Sequence, residues 1–311
     1  MNTTTSTASG SRRRAILALG AGAALTAALP MGGTAYASDP EGDLVARRFG
    51  ELERQHSARV GVFALDTATG RTVSHRADEL FPMCSLFKTL AAGAVLRDLD
   101  RRGEFLAKRI HYTEKDVKEA GHTPITSKPE NLAHGMTVEE LCSATIAFSD
   151  NAAGNLLLRE LGGPTAVTRF CRSLGDGTTR LDRWEPELNS AEPDRITDTT
   201  TPRAIAHTYA RLTLGGALTA PDRERLTGWM LANTTSSKRF RAGLPPEWTI
   251  ADKTGGGQYA TNNDAGIAWP PGRPPIVLAV LTTKHDPDAP ADDPLVAESA
   301  ALAASALGHP R

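Results

Sequence analysis

The side chains best suited to chemistry sit in three short motifs far apart in the chain. The first, Ser85-Leu86-Phe87-Lys88, opens an apolar run that continues through Leu90 and Ala94. Residues three apart on a helix share a face, which puts Ser85 and Lys88 within reach of each other. A serine hydroxyl is a weak nucleophile until a base takes its proton, and a lysine of lowered pKa is one such base. The same four residues also suit a capped helix with a solvated lysine, because serine is a common N-cap. The second motif, Ser149-Asp150-Asn151, follows the helical run Val138 to Phe148. Its hydroxyl and amide can relay a proton and hold a carbonyl, while Asp150 can cap a helix starting at Ala152. That cap alone would also account for the motif. The third, Lys253-Thr254-Gly255-Gly256-Gly257, ends a strand-like segment. Its glycines let a ligand lie against bare backbone, and lysine with threonine offers charge and hydrogen bonds to a carboxylate. A glycine turn with an exposed lysine is the plainer alternative.

Elements must bring these motifs together, and the hydrophobic pattern along the chain changes twice. Residues 39–56 place Leu44, Val45, Arg48, Phe49 and Leu52 at helical spacing, and Val60 to Leu65, the turn Asp66 to Gly70 and Arg71 to His75 then read as a hairpin. From Leu86 to about Leu231 the pattern is helical, broken at Gly121 to Gly135 and by the polar, proline-bearing stretch Leu181 to Pro202. Trp248 to Thr254, Asp264 to Trp269 and Pro275 to Thr283 read as strands, and Asp293 to Leu307 as an alanine-rich helix. Strands at both ends predict an α/β (α+β) fold: an antiparallel sheet built from both chain ends and flanked by helices, with an inserted all-α domain and the active site in the cleft between them. The expected division is 38–84 with 232–311 for the α/β domain, and 85–231 for the mainly helical one, including a loop at 181–202.

In this order and at these separations, the three motifs resemble the penicillin-recognising serine enzymes, whose class A β-lactamases and penicillin-binding proteins share the trio Ser-x-x-Lys, Ser-Asp-Asn and Lys-Thr-Gly. Arg109 to Tyr112, Gly135 to Val138, Glu140 to Ser143 and Asp150 to Leu157 are also similar to class A enzymes, so the resemblance extends over most of residues 38–311. A fourth segment, Arg183-Trp184-Glu185-Pro186-Glu187-Leu188-Asn189, is similar to that family's omega-loop signature. The resemblance implies that Glu185 and Asn189 hold a water, which the carboxylate activates against an acyl ester. An isolated glutamate would read as a surface acid.

The rest of the site follows from the same resemblance. Ser85 would attack a β-lactam carbonyl, its proton leaving to Lys88 or, through water, to Glu185. The backbone N–H groups of Ser85 and Gly256 would form an oxyanion hole, and Ser149 would pass a proton to the lactam nitrogen. Asn151 would bind the substrate's side-chain amide and Lys253 with Thr254 its carboxylate, while the substrate would lie against the Gly255-Gly256 backbone. Arg183 and Asp198 match the pair that closes the loop's neck, and the family pattern implies a cis bond before Pro186. Where many members carry an arginine after Lys-Thr-Gly, this chain has Asn262; Arg239 matches an arginine that some members use instead, with Arg241 as its competitor. Cys142 fits one half of a disulfide found in some relatives, but the other half is Ala92 here. His122 stands where others place an aromatic at the cleft mouth. No metal or organic cofactor is implied. A D-alanyl-D-alanine carboxypeptidase or transpeptidase, or a β-lactam sensor, would share Ser85, Lys88, Ser149 and Lys253 without needing Glu185 and Asn189.

Composition leaves room for this reading. The 311 residues carry 35 Lys plus Arg against 36 Asp plus Glu and are 40% hydrophobic, which is ordinary globular composition with no call for nucleic acid as a partner. Ser11-Arg12-Arg13-Arg14, the apolar run Ala15 to Pro30 and Ala35-Tyr36-Ala37 read as the three parts of a signal peptide over 1–37. The protein is therefore expected to be secreted, extracellular or periplasmic, with the consecutive arginines pointing to the twin-arginine route. The apolar run is shorter than the roughly 20 residues that span a bilayer, and no other segment could span one. Cys84, Cys142 and Cys171 are an odd number without metal-ligand spacing, so buried thiols are expected, with Cys84 packing beside the nucleophile. The absence of an exposed heptad suggests a monomer, and the resemblance implies small β-lactam antibiotics as its partners.

Overall fold

The computed structural model describes residues 40–309; the leader read at 1–37, with its cleavage after Ala37, lies outside them. The two ends of this span meet in one antiparallel sheet of order β2-β1-β9-β8-β7. Its strands are β1 Arg59–Asp66, β2 Thr72–His75, β7 Thr249–Gly256, β8 Asn262–Trp269 and β9 Ile276–Thr283. Early β1 pairs with late β9 from Arg59↔Thr283 to Asp66↔Ile276, so the sheet cannot close until both ends are in place. The two-residue ribbons β3 Phe81–Pro82 with β6 Thr199–Thr200, and β4 Arg109–Ile110 with β5 Met136–Thr137, tie the middle of the chain together.

Alternation along the strands sends side chains to opposite faces, and both faces are covered. Val60, Val62, Ala64, Ile250, Leu278 and Val280 pack against α1 Pro40–His56, α10 Phe240–Gly243 and α11 Asp293–Ala306. Phe63, Ala251, Ile267, Val277, Ala279 and Leu281 join a larger core with the helical segment. That double burial is why β9, IVLAVLTT, reads as an unbroken apolar run from Ile276 to Leu281. The helical segment comprises α2 Phe87–Ala94, α3 Glu114–Ala120, α4 Pro129–His134, α5 Val138–Ala147, α6 Asn151–Leu161, α7 Thr165–Ser173, α8 Pro202–Thr213 and α9 Ala220–Leu231. Every residue of α2 is buried, which makes it the axis of this part.

The expected α/β fold with helices inserted between sheet-forming ends is thus present, with local differences. Asp150 is extended and its side chain accepts from Ala153 N, so α6 begins at Asn151, one residue before Ala152. The break at Gly121 to Gly135 contains the short α4, opened by Pro129. The helix after Ser85 is brief and continues as a wider π-helical turn at Val95–Leu99. No helix among the described residues is long and apolar enough to cross a membrane.

Candidate active site

Ser85 lies on a sharp turn between β3 and α2. Cys84 has φ 48°, a left-handed conformation that residues with a Cβ seldom adopt, and a 3-10 turn, Cys84–Leu86, then leads into α2. No side chain caps this entry, so Ser85 does not serve as the helix cap that its type allows. Three elements hold the turn: Tyr209 donates its hydroxyl to Leu86 O at 2.7 Å, Asn263 Nδ2 donates to Pro82 O at 2.9 Å, and Met83 N donates to Asp198 O at 2.8 Å.

The buried hydroxyl of Ser85 donates to Glu185 Oε1 at 3.3 Å, and Lys88 Nζ lies 3.0 Å from the same oxygen. Lys88 also donates to Asn151 Oδ1 at 2.6 Å, Ser149 O at 2.9 Å and Ser149 Oγ at 3.3 Å. Spacing put Ser85 and Lys88 within reach of each other, and the two groups meet on Glu185, a hundred residues beyond Ser85. Ser149, itself at φ 56°, joins the first two motifs to the third, because its Oγ accepts from Lys253 Nζ at 3.0 Å. Asn151 is engaged at both ends of its amide, with Nδ2 donating to Ala120 O at 2.9 Å. His122 lies beside this motif, its backbone carbonyl accepting from Asn151 N and its ring exposed.

Glu185 is presented by a pinned loop. Its Oε2 accepts from Asn189 Nδ2 at 2.5 Å, and the Glu185–Pro186 bond is cis, as the resemblance implied. At the neck Arg183 Nε donates to Asp198 Oδ2 at 2.6 Å, and Asp198 Oδ1 accepts the backbone N–H groups of Asp182 and Arg183. Asn155 clamps Glu185 from α6: its Nδ2 donates to Glu185 O at 2.9 Å and its Oδ1 accepts Glu185 N at 3.0 Å. Its sequence signal was slight: Asn155 follows Asn151 by four, which puts both on one helix face.

The glycines of the third motif let β7 run alongside the Ser85 turn. A Cβ on Gly255 would sit 3.0 Å from Met83 O, and one on Gly257 would sit 2.6 Å from Asn189 O and 2.9 Å from Cys84 Sγ. Gly256, between them, pairs with Asn262 at the end of β8. Gln258 N donates to Asn189 O at 2.9 Å, joining this turn to the Glu185 loop. Burial pushes the Cys84 thiol up and the nearby Glu185 carboxylate adds to the effect, which fits packing and not nucleophilic use. Cys84, Cys142 and Cys171 are all buried and free.

Arg239 and Arg241 go to different places. Arg239 donates from Nε to Asp293 Oδ1 at 2.8 Å, and from Nη1 to Gly255 O at 3.0 Å and Asn263 O at 2.8 Å. Asn262 shares Asp293 Oδ1 at 3.1 Å. Arg241 instead approaches Asp252 Oδ1 at 3.3 Å and Ile250 O at 3.2 Å. Asp252 and Asp264, both wholly buried, had no sequence signal as a pair. Burial raises both carboxyls, and repulsion from Asp252 pushes Asp264 further. Thr235, between α9 and α10, was also missed, since it belongs to no motif; its Oγ1 lies 2.5 Å from Thr254 Oγ1.

Lys253 is wholly buried, and its Nζ donates to Ser149 Oγ and to Thr254 O at 2.8 Å. Burial first, then the charges of Lys88 and Arg239, holds it well below the usual lysine range. Between that depressed value and the unfolded one the native chain binds fewer protons, so stability rises with pH across the window and is lost as pH falls through the folded value. Denaturant unfolding at stepped alkaline pH is expected to show this slope in the native protein and a flatter one in Lys253→Met. Equal slopes would mean that Lys253 titrates as an ordinary lysine.

A mixed α/β fold that gathers a hydroxyl, a buried ammonium and a loop-borne carboxylate at one point defines an enzyme equipped for hydrolysis. The sequence profile of the β-lactamase enzyme family matches residues 44–307, and the chain belongs to that family. A β-lactamase of Streptomyces lavendulae is 69% identical over 297 residues, covering 95% of this chain and 97% of its own. One from Streptomyces fradiae is 66% identical over 295 residues, covering 95% of this chain and 96% of its own. The solved structure of the β-lactamase from Streptomyces albus G superimposes with a TM-score of 0.83 at 67% identity, covering 84% of this chain and 98% of that one. The chain is a β-lactam hydrolase.

Proposed function

We propose that the protein is a secreted class A serine β-lactamase that opens the lactam ring of penicillins through an acyl-enzyme on Ser85. The observation that carries this reading is the meeting of Ser85 Oγ and Lys88 Nζ on Glu185 Oε1. Glu185 is the group to which the nucleophile's hydroxyl already donates, so it is assigned the proton in acylation, with Lys88 stabilising the resulting charge. The N–H groups of Ser85 and Gly256 then take the developing oxyanion. The proton then passes from Glu185 through Lys88, which touches both Glu185 and Ser149, and Ser149 gives its own hydroxyl proton to the departing nitrogen, so that Glu185 is a carboxylate again. Asn151 receives the acyl side chain. Lys253, Thr254 and Arg239 receive the carboxylate, Arg239 being fastened to the carbonyl of Gly255 on the same strand. In the second half, Glu185 and Asn189 activate water against the ester. Cephalosporins are a second substrate class for the same steps, and the leader at 1–37 is proposed to direct export.

The test is mass spectrometry of the protein mixed with benzylpenicillin while lactam loss is followed. Native protein is expected to destroy many equivalents with at most a transient adduct on Ser85. Ser85→Ala is expected to form no adduct and to lose turnover by about 10³-fold or more, as when a nucleophile acting as part of a unit is removed. Turnover that survives in Ser85→Ala would overturn the serine mechanism. A native protein that stays acylated would make it a penicillin-binding enzyme instead.

A further inference from the structure

We infer that Thr235 is a positioning residue for carboxylate recognition: its hydroxyl sets which way the Thr254 hydroxyl points, through a two-hydroxyl switch anchored on Asn233. This rests on the proposed reading of Thr254 as a carboxylate-binding group.

Proton directions follow from counting donors and acceptors. Asn233 is buried, and its Nδ2 donates to Asp252 Oδ1 at 3.0 Å. Its other end, Oδ1, accepts Thr235 N at 3.0 Å, which fixes the orientation of the amide. Thr235 Oγ1 lies 2.7 Å from that same Oδ1. An amide oxygen only accepts, so the single Thr235 hydroxyl proton is committed to Asn233. The contact of Thr235 Oγ1 with Thr254 Oγ1 at 2.5 Å therefore needs Thr254 as the donor. In the free enzyme Thr254 thus commits its proton to Thr235.

An arriving carboxylate has no proton of its own at neutral pH, so Thr254 can bond it only by turning its O–H outwards. The 2.5 Å oxygen pair would then hold no proton unless Thr235 swings its own from Asn233 Oδ1 to Thr254 Oγ1. Asn233 Oδ1 stays satisfied by Thr235 N during the exchange. The bound state then has a chain running Thr235 O–H to Thr254 O–H to carboxylate, in which each bond strengthens the next. Two hydroxyl rotations accomplish this and no proton changes owner. Thr235 is half-buried.

The experiment compares benzylpenicillin with its methyl ester, whose neutral carbonyl accepts a hydrogen bond far more weakly than a carboxylate does. Thr235→Val is expected to lower kcat/KM for benzylpenicillin about fivefold, the size of one net hydrogen bond, while leaving the ester within about twofold. Thr235→Ser, which keeps the hydroxyl, is expected to behave like the native enzyme. In a Thr254→Val background, adding Thr235→Val is expected to change nothing further, because the two act as one unit. Equal losses on acid and ester, or additive losses in the double variant, would overturn the switch and leave Thr235 a packing residue. Lys253→Met reports separately on the underlying reading: if it left the acid-to-ester preference untouched, the carboxylate site itself would be misassigned.

Discussion

Glu185→Gln is expected to convert the enzyme from one that turns over to one that stays acylated. Benzylpenicillin should load Ser85 in this variant and hydrolysis of the ester should slow by about 10²–10⁴-fold, the usual contribution of a general base. Because Ser85 Oγ donates to the same carboxylate, acylation should slow as well, though less if Lys88 can take over as proton acceptor. The site predicts that this substitution is structurally mild. In the native protein Glu185 receives Lys88 on Oε1 and Asn189 on Oε2. Glutamine can keep its oxygen towards Lys88 and turn its NH₂ to Asn189, whose Oδ1 has no partner among the described residues and can accept after an amide flip. Time-resolved mass spectrometry gives the adduct lifetime, and a denaturant melt of the same sample checks the fold. A well-folded Glu185→Gln protein that hydrolyses penicillin at the native rate would remove Glu185 from the mechanism.

How much of this was legible beforehand differed between fold and site. The strands of the sheet could be read because β9 opens on six apolar residues, Ile276 to Leu281, and the hairpin of β1 and β2 carries its own turn at Asp66 to Gly70. The start of α6 was displaced by one residue because a cap is a backbone conformation, and only the extended Asp150 settles it. In the site, motifs identified groups but not partners. Spacing put Ser85 near Lys88, yet what joins them is Glu185, brought in by a loop whose neck and clamp, Asp198 and Asn155, are distant in sequence. Arg239 and Arg241 could not be separated by pattern, being two apart on a short turn; Asp293 and Asp252 separate them by pulling each to a different acceptor set. Thr235, Asn233 and the pair Asp252 and Asp264 lack any local signature, since their meaning is contact across β7, β8 and the segment after α9.

Lys88→Met is expected to produce the largest combined loss, in stability and in chemistry. The side chains of Lys88 and Glu185 are both wholly buried. A buried pair of this kind adds little over a packed apolar equivalent, but removing one partner strands the other charge, at a cost of about 3–5 kcal/mol. Methionine approximates the volume of lysine without its donors, so Glu185 Oε1 and Asn151 Oδ1 both lose the bonds they receive from Nζ. At neutral pH the denaturation midpoint should drop accordingly. Acylation by benzylpenicillin should fall by at least about 10²-fold, since the charge that stabilises proton loss from Ser85 is gone. The double variant Lys88→Met with Glu185→Gln separates the two effects. Removing both charges should recover most of the lost stability, because no buried charge is left unpaired, while turnover stays absent. A double variant no more stable than Lys88→Met would place the loss in packing around α2 and not in the charge pair.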